Sequence, residues 1–132
     1  MNVAAKIDEE SLSRLVPLFY DRVRQDPELA PIFNDAIANW PEHLEKLVSF
    51  WSSVMLTSGR YRGNPVAKHL AVEGITMELF ERWLALFNET CGELFDERLA
   101  REFGAKAARI AESLKLALFY RPDRPWPPQP QA

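Results

Sequence analysis

The sequence predicts an all-α fold with about five to seven helices in one domain. Apolar side chains recur at helical spacing along most of the chain, and no segment shows the alternation of a half-buried strand. A length of 132 residues suits one domain with a substantial core. Half of the ten prolines follow residue 121. We therefore expect the folded domain to span 1–120 and a disordered, proline-rich tail to span 121–132.

The first helix is predicted to begin after Asp8, whose carboxylate can cap it, and to end before Asp26. Pro17 lies inside this stretch, where a proline removes a helical hydrogen bond and crowds the preceding turn. We expect a kink there, or a break into two short helices. A short helical turn over 27–34 should follow. The apolar stripe of the first helix is Leu12, Leu15, Val16, Phe19 and Val23.

Later helices are predicted from capping residues and from prolines at first helical positions. Pro41 opens a helix to about Thr57, and Asn64 with Pro65 opens a short one to Leu70 after a loop over 58–63. The last two predicted helices follow the caps Thr76 and Asp96, and they span 76–93 and 96–119. Short connections and the absence of a predicted sheet leave two arrangements open, a helix bundle and a globin-like fold.

Charge and composition exclude several functional classes. Sixteen Lys and Arg against nineteen Asp and Glu give a net charge of −3, which argues against a nucleic-acid partner. No apolar run approaches the ~20 residues that cross a bilayer, and the first ten residues lack the apolar segment of a signal peptide. We expect a soluble, cytoplasmic protein. Cys91 is the single cysteine, so a cysteine-based zinc cluster is excluded.

The helix over 41–57 has an apolar arc of roughly 160°, wider than the ~100° of an ordinary surface helix. Its margin carries His43, Leu47, Phe50 and Val54, with Lys46 just outside. This width indicates a second packing partner besides the core, such as a ligand that is apolar in its middle and anionic at its edge. A large internal helix with a half-exposed histidine is the alternative interpretation.

Three further side chains are candidates for binding. His69 shares an apolar face with Val66 and Leu70, where a neutral imidazole could ligate a metal or could simply be a hydrogen-bonded core residue. Two histidines on different helices are too few for a structural zinc site. Tyr20 and Trp83 each combine an apolar body with one hydrogen-bond donor, which suits either a core or a ligand pocket.

These residues occur in an order that resembles the truncated haemoglobins, most closely group III. The resemblance covers about residues 7–120 and leaves the tail outside. Its matching segments are Phe19-Tyr20, Val23-Arg24, Asp26-Pro27, Pro31 to Asn34, His43, Phe50-Trp51, Gly59 to Pro65, Lys68 to Leu70, and Phe80 to Phe87.

The resemblance implies a truncated two-over-two helical sandwich that holds haem b. His69 matches the proximal ligand, which binds iron through Nε2. The distal side is the side of the haem opposite this ligand. There Tyr20 matches the tyrosine of the family, and Trp83 matches the tryptophan. His43 matches the histidine characteristic of group III, and Leu47 matches an apolar residue one helical turn after it.

The resemblance also assigns residues to the haem edge. Phe33 matches a phenylalanine that stacks on the haem, and the apolar margin that includes Phe50 would face the ring. Lys46 falls where globins often pair a propionate. Arg60, Tyr61 and Lys68 are weaker candidates for the same contact.

The implied function is binding of O₂ and other diatomic ligands, NO and CO among them. Several distal donors should slow O₂ release, which favours O₂ or NO redox chemistry over bulk transport. NO dioxygenation and peroxidase-like or electron-transfer activity both remain open, and each needs an external reductase because the chain has no flavin or nicotinamide motif. Haem sensing or trafficking is a third possibility. The alternative is a haem-independent helical interaction module, whose tail around Trp126 docks into a partner groove.

Overall fold

Six helices follow one another along residues 3–126, which is the part of the chain that the computed structural model describes. Within that part no β-strand occurs, and one isolated bridge joins Ala4 to Phe95. The predicted all-α fold is confirmed. The helices are α1 (Glu9–Val23), α2 (Ala30–Ala36), α3 (Trp40–Leu56), α4 (Pro65–Leu70), α5 (Met77–Leu94) and α6 (Glu97–Phe119).

The four longer helices form two layers. Helices α1 and α3 pack together in one layer, α5 and α6 pack together in the other, and α1 contacts α5 between them. The short α4 packs on α6. This arrangement is the two-over-two sandwich.

Side-chain caps fix where the helices begin. The Asp8 carboxylate accepts from the backbone N–H of Ser11 at 2.8 Å, and the Ser11 hydroxyl accepts from the N–H of Asp8 in return. The predicted caps Asn64, Thr76 and Asp96 likewise accept from backbone N–H groups. Each cap satisfies one of the donors that a helix leaves unpaired at its start.

Helix α1 runs unbroken through Pro17, so of the two expected outcomes the break into two short helices is wrong, and the kink stays a prediction. An internal proline costs about 3 kcal/mol. The side chains of the predicted apolar stripe are buried between α3 and α5, and each such burial contributes about 1.5–3 kcal/mol. The stripe therefore outweighs the proline, whose own ring is exposed.

The chain reaches α2 through a turn that Asp26 organises. Its carboxylate accepts from the backbone N–H groups of Glu28 and Leu29, each at 3.1 Å, and from Arg82 Nε of α5 at 2.9 Å. The hydrogen bond from Arg82 holds the pKa of the Asp26 carboxyl below its ordinary value. Because this turn occupies the backbone up to Leu29, α2 begins later than the predicted range of 27–34.

The core lies between the two layers. The predicted stripe of α1 is wholly buried against Phe87 and Cys91 of α5 and Phe103 of α6. Three apolar residues of α5, however, are only half-buried, namely Phe80, Trp83 and Leu84. The N-terminal half of α5 therefore keeps part of its apolar face uncovered by protein.

No helix among residues 3–126 is long and apolar enough to cross a membrane. Beyond α6, residues 121–126 form turns, and the Trp126 ring lies 6.1 Å from the Tyr120 ring. The rest of the predicted tail, 127–132, lies outside the described residues. The boundary at 120 stays a prediction.

Candidate haem site

His69 is positioned by the short helix α4. Its Nδ1 lies 2.6 Å from the carbonyl oxygen of Pro65, one turn earlier. A carbonyl oxygen only accepts, so Nδ1 carries the hydrogen, and Nε2 of the neutral ring keeps a free lone pair. The Phe80 ring of α5 packs nearly parallel to the imidazole, with centroids 6.4 Å apart. These two contacts orient the imidazole so that one nitrogen, Nε2, is available to a metal.

No cluster of three or more His, Cys, Asp or Glu side chains that could hold a metal ion occurs in the described residues. A metal bound by several protein ligands has therefore no support within 3–126. One oriented imidazole instead suits a metal that a macrocycle already holds on its other sides.

Tyr20 of α1 lies where α2 and α3 approach it. Its ring centroid is 5.8 Å from Phe33 and 6.3 Å from His43. Burial raises the pKa of the Tyr20 phenol well above its ordinary value. The phenol therefore keeps its proton at any ordinary pH and can donate a hydrogen bond.

His43 lies on α3, half-buried beside Tyr20 and with its ring 5.7 Å from Trp40. Burial lowers the pKa of His43, and the charges of Lys68 and Lys46, followed by His69, lower it further. The ring is neutral near pH 7.

A band of half-buried apolar side chains extends from this cluster. In a folded core such residues would be covered completely, so their half-exposure marks a surface shaped for a further apolar body. The band consists of Phe33, Leu47, Phe50, Val54, Phe80, Trp83 and Leu84. Phe33, Leu47 and Phe50 are among the predicted haem contacts.

Basic and aromatic residues meet at a cleft of about 510 Å³ between α3, the 57–64 loop and α4. The predicted Lys46, Tyr61 and Lys68 all line it. Lys46 Nζ also lies 3.3 Å from Glu42, and Lys68 Nζ lies 5.9 Å from the Tyr61 ring centroid. Arg60 lines the cleft too, but its guanidinium is paired with Glu9 of α1.

Two features escaped the sequence analysis. Phe80 occurs in the sequence analysis only as one end of a segment shared with the truncated haemoglobins, and helical periodicity does not show that its ring contacts the His69 imidazole. Arg62 also lines the cleft and adds a cation to its mouth. The signal for Arg62 was its place between Tyr61 and Asn64 in a loop that carries other cleft residues.

A family model described as bacterial-like globin matches residues 7–113. A curated relative, the group 3 truncated haemoglobin Ctb of Campylobacter jejuni, is 37% identical over 117 residues, which cover 86% of this chain and 92% of the relative. The chain belongs to the bacterial-like globins, in the group III truncated haemoglobin family. The crystal structure of a group III truncated haemoglobin from Campylobacter jejuni superposes with a TM-score of 0.85 at 35% identity, over 89% of this chain and 96% of that one.

Membership of the globin family implies that this truncated haemoglobin binds haem and, through it, small gaseous ligands. The side chains present fit that group. One imidazole nitrogen is free for iron, flat apolar rings border the site, and Lys46, Arg62 and Lys68 line the cleft beside Tyr61 together with Glu42 and Glu45.

Proposed function

We propose that this truncated haemoglobin binds haem b through Nε2 of His69 and takes O₂, NO or CO on the opposite side. The observation that carries the proposal is the hydrogen bond from Nδ1 to the Pro65 carbonyl, which leaves Nε2 free and fixes the ring. Haem b supplies an iron centre that binds diatomic ligands and exchanges single electrons.

Tyr20, Trp83 and His43 form the ligand-facing side in this proposal, with Leu47 as its apolar wall. The buried Tyr20 phenol and the half-buried Trp83 indole each carry one hydrogen-bond donor that can face a bound ligand. Fixed donors in such a place stabilise a ligand that gains negative charge. His43 is half-buried and neutral, so it can donate through one ring nitrogen as well.

The remaining predicted residues hold the ring and its edge. Phe33 and Phe50 offer flat apolar surface to the macrocycle. Lys46 and Lys68 stand on opposite walls of the cleft, where each can pair with one propionate carboxylate. Tyr61 lies between them and contacts both the Phe50 ring and Lys68.

Strong hydrogen-bond donors on the ligand side favour a reaction of the bound ligand over its release and transport. A ligand that is stabilised by the Tyr20 phenol and the Trp83 indole leaves slowly, which suits reaction in place. We infer NO dioxygenation or a peroxidase-like reaction, with electrons from a separate reductase. The reducing cytoplasm would suit such turnover, and we propose that location.

An absorption spectrum tests the proposal directly. The purified chain with added haem should show a Soret band that shifts when the protein is reduced and exposed to CO. A sample that keeps the spectrum of free haem, and a protein that is colourless once the excess haem is removed, would refute haem binding and would favour the haem-independent interaction module. Mixing the oxygenated protein with NO should then yield nitrate, and its absence would remove NO dioxygenation alone.

A further inference from the structure

Five aromatic side chains form a continuous column through the protein. The Trp83 and Phe87 rings stack at 4.9 Å with an interplanar angle of 10°, and Phe87 stacks on Trp51 at 4.9 Å and 16°. Trp51 then contacts Phe50 at 5.6 Å, and Phe50 contacts Tyr61 at 5.2 Å, both edge to face. We call Trp83, Phe87, Trp51, Phe50 and Tyr61 the aromatic column.

The column joins the ligand side of the site to the protein surface. Its middle is dry, because Phe87 is 1% exposed and Trp51 2% exposed. Its ends are both half-buried: Trp83 lies on the ligand side, where its ring and that of Tyr20 both contact Phe19, and Tyr61 lines the cleft. No polar side chain interrupts the ring contacts between these ends.

Tryptophan and tyrosine are the side chains of this column that lose a single electron most readily. Electron transfer through protein weakens steeply with distance, so it proceeds best in short steps between such groups. Trp51 lies between Trp83 and Tyr61, with a single phenylalanine ring on either side of it. The column therefore offers three oxidisable groups in series.

A second tryptophan near the site, Trp40, is poorly suited to the same role. Its ring lies 6.2 Å from Tyr20, but the Arg24 guanidinium sits 4.5 Å above its centroid. A cation over an indole face is attracted to the electron-rich ring. The same cation opposes removal of an electron, because the oxidised indole would be positive. Trp51 has only aromatic rings, Phe50, Phe87 and Phe103, among its ring contacts.

We propose that the aromatic column carries single electrons from Tyr61 to the ligand site when a peroxide is reduced there, so that phenolic reductants are oxidised at the protein surface. This inference rests on the proposed haem binding. Hydrogen peroxide takes two electrons and two protons and leaves as two waters. Each electron that Trp83 gives up is replaced through Trp51 from Tyr61, which releases its phenolic proton to water in the cleft.

The oxidised Tyr61 is then restored by the external reductant. One phenol molecule returns one electron and one proton to Tyr61 and becomes a phenoxyl radical. Two such molecules are consumed for each hydrogen peroxide, which balances the reaction. The cleft that Tyr61 lines is open enough to admit a small phenol beside the ring.

The test locates the radical in the haem-loaded full chain. The protein is treated with hydrogen peroxide and a nitroso spin trap, and the labelled residues are identified by peptide mass spectrometry. We expect the label on Tyr61 and its loss in Trp51→Phe, which keeps a ring but removes the oxidisable step. Tyr120→Phe is the matched control, because that tyrosine is exposed at the end of α6 and should not affect the label on Tyr61.

Several results would overturn the inference. Equal labelling of Tyr61 in wild-type protein and in a folded Trp51→Phe variant would show that the column carries no electrons. Equal labelling of the haem-free chain would show that Tyr61 reacts only because it is accessible. If Trp51→Phe does not fold, Tyr61→Phe replaces it: the rate of phenol oxidation per bound haem should fall, with bound haem measured from the Soret band, and an unchanged rate per haem would refute the route.

The two proposals fail separately. A chain without a Soret band fails the proposed haem binding. A chain that binds haem and CO normally but gives no label on Tyr61 fails the electron route alone.

Discussion

Nδ1 of His69 and the carbonyl oxygen of Pro65 lie 2.6 Å apart within one turn of α4. Pro65 at the first helical position has no N–H to lose, and its carbonyl faces along the helix to the histidine. The cap from Asn64 starts the helix in the correct register, with its side chain 3.1 Å from the N–H of Ala67. A helix of only six residues thus sets both the position and the tautomer of the imidazole.

Replacing His69 by alanine should abolish tight haem binding, because the described residues near the site offer no second imidazole on α4. Free imidazole added to His69→Ala should restore a Soret band by filling the space of the lost ring. His43→Ala is the matched control, and it should retain haem. Retention of an unchanged spectrum in His69→Ala would reassign the iron ligand.

Tyr20→Phe should raise the O₂ dissociation rate roughly ten- to a hundredfold, since a hydrogen bond to a charged group contributes about 1.5–3 kcal/mol. The ring is retained, so its contacts with Phe33 and His43 should persist. Stopped-flow measurement of O₂ release provides the rate. An unaltered rate would mean that Trp83 or His43 supplies the stabilisation instead.

Much of the fold was predictable because its signals are local. The caps Asp8, Asn64, Thr76 and Asp96 and the apolar stripe of α1 need only neighbouring residues, and each was found as predicted. The continuity of α1 through Pro17 was not predictable, since it depends on burial against helices that are distant in sequence.

The sequence provides candidate residues for the site, which stay predictions, but it does not show how their side chains contact one another. A helical wheel places His43 at the margin of α3, but it does not show that Tyr20 and Trp40 meet the histidine ring. Arg82 and Asp26 are 56 residues apart, so their pairing has no local signal. Such contacts follow from how whole helices pack.

Asp26→Asn should destabilise the fold by about 1–3 kcal/mol, because it weakens bonds that the buried carboxylate makes to Arg82 and to two backbone N–H groups. The folded-state pKa of Asp26 lies below the ordinary value of 3.8, so the unfolded chain binds the proton more readily. This contribution is therefore full above pH 3.8 and declines as the pH falls through the folded-state value.

Urea unfolding of wild-type protein and Asp26→Asn at a series of pH values measures that difference. The gap should be constant near neutral pH and should close in acid. Asp35→Asn serves as the control, because Asp35 is an exposed carboxylate of α2. A gap that stays open at the lowest pH would contradict the role given to the Asp26 charge.

Ser52→Ala should loosen the 57–64 loop that leads to α4. The Ser52 hydroxyl is fully buried, 2.6 Å from the Glu9 carboxylate and 2.7 Å from the Ser58 hydroxyl. Its removal takes one hydrogen bond from each of those groups, which keep their contacts with Arg60, so we expect a cost of about 0.5–1.5 kcal/mol. Hydrogen exchange should become faster at backbone amides of the loop. Ser113→Ala on the exposed face of α6 should leave the exchange of those amides unchanged.

His43 should titrate below the ordinary histidine pKa of 6.5 in the haem-free chain, because burial and then the charges of Lys68 and Lys46 disfavour its protonated form. The unfolded chain takes up a proton at a higher pH than the folded one, so this residue contributes full stability above pH 6.5 and less as the pH falls. Proton NMR at a series of pH values measures the pKa of His43 directly, because the chain has only two histidines. The imidazole signal that disappears in His43→Gln belongs to residue 43. A midpoint at or above 6.5 for that signal would show that the ring is solvated rather than held beside Tyr20.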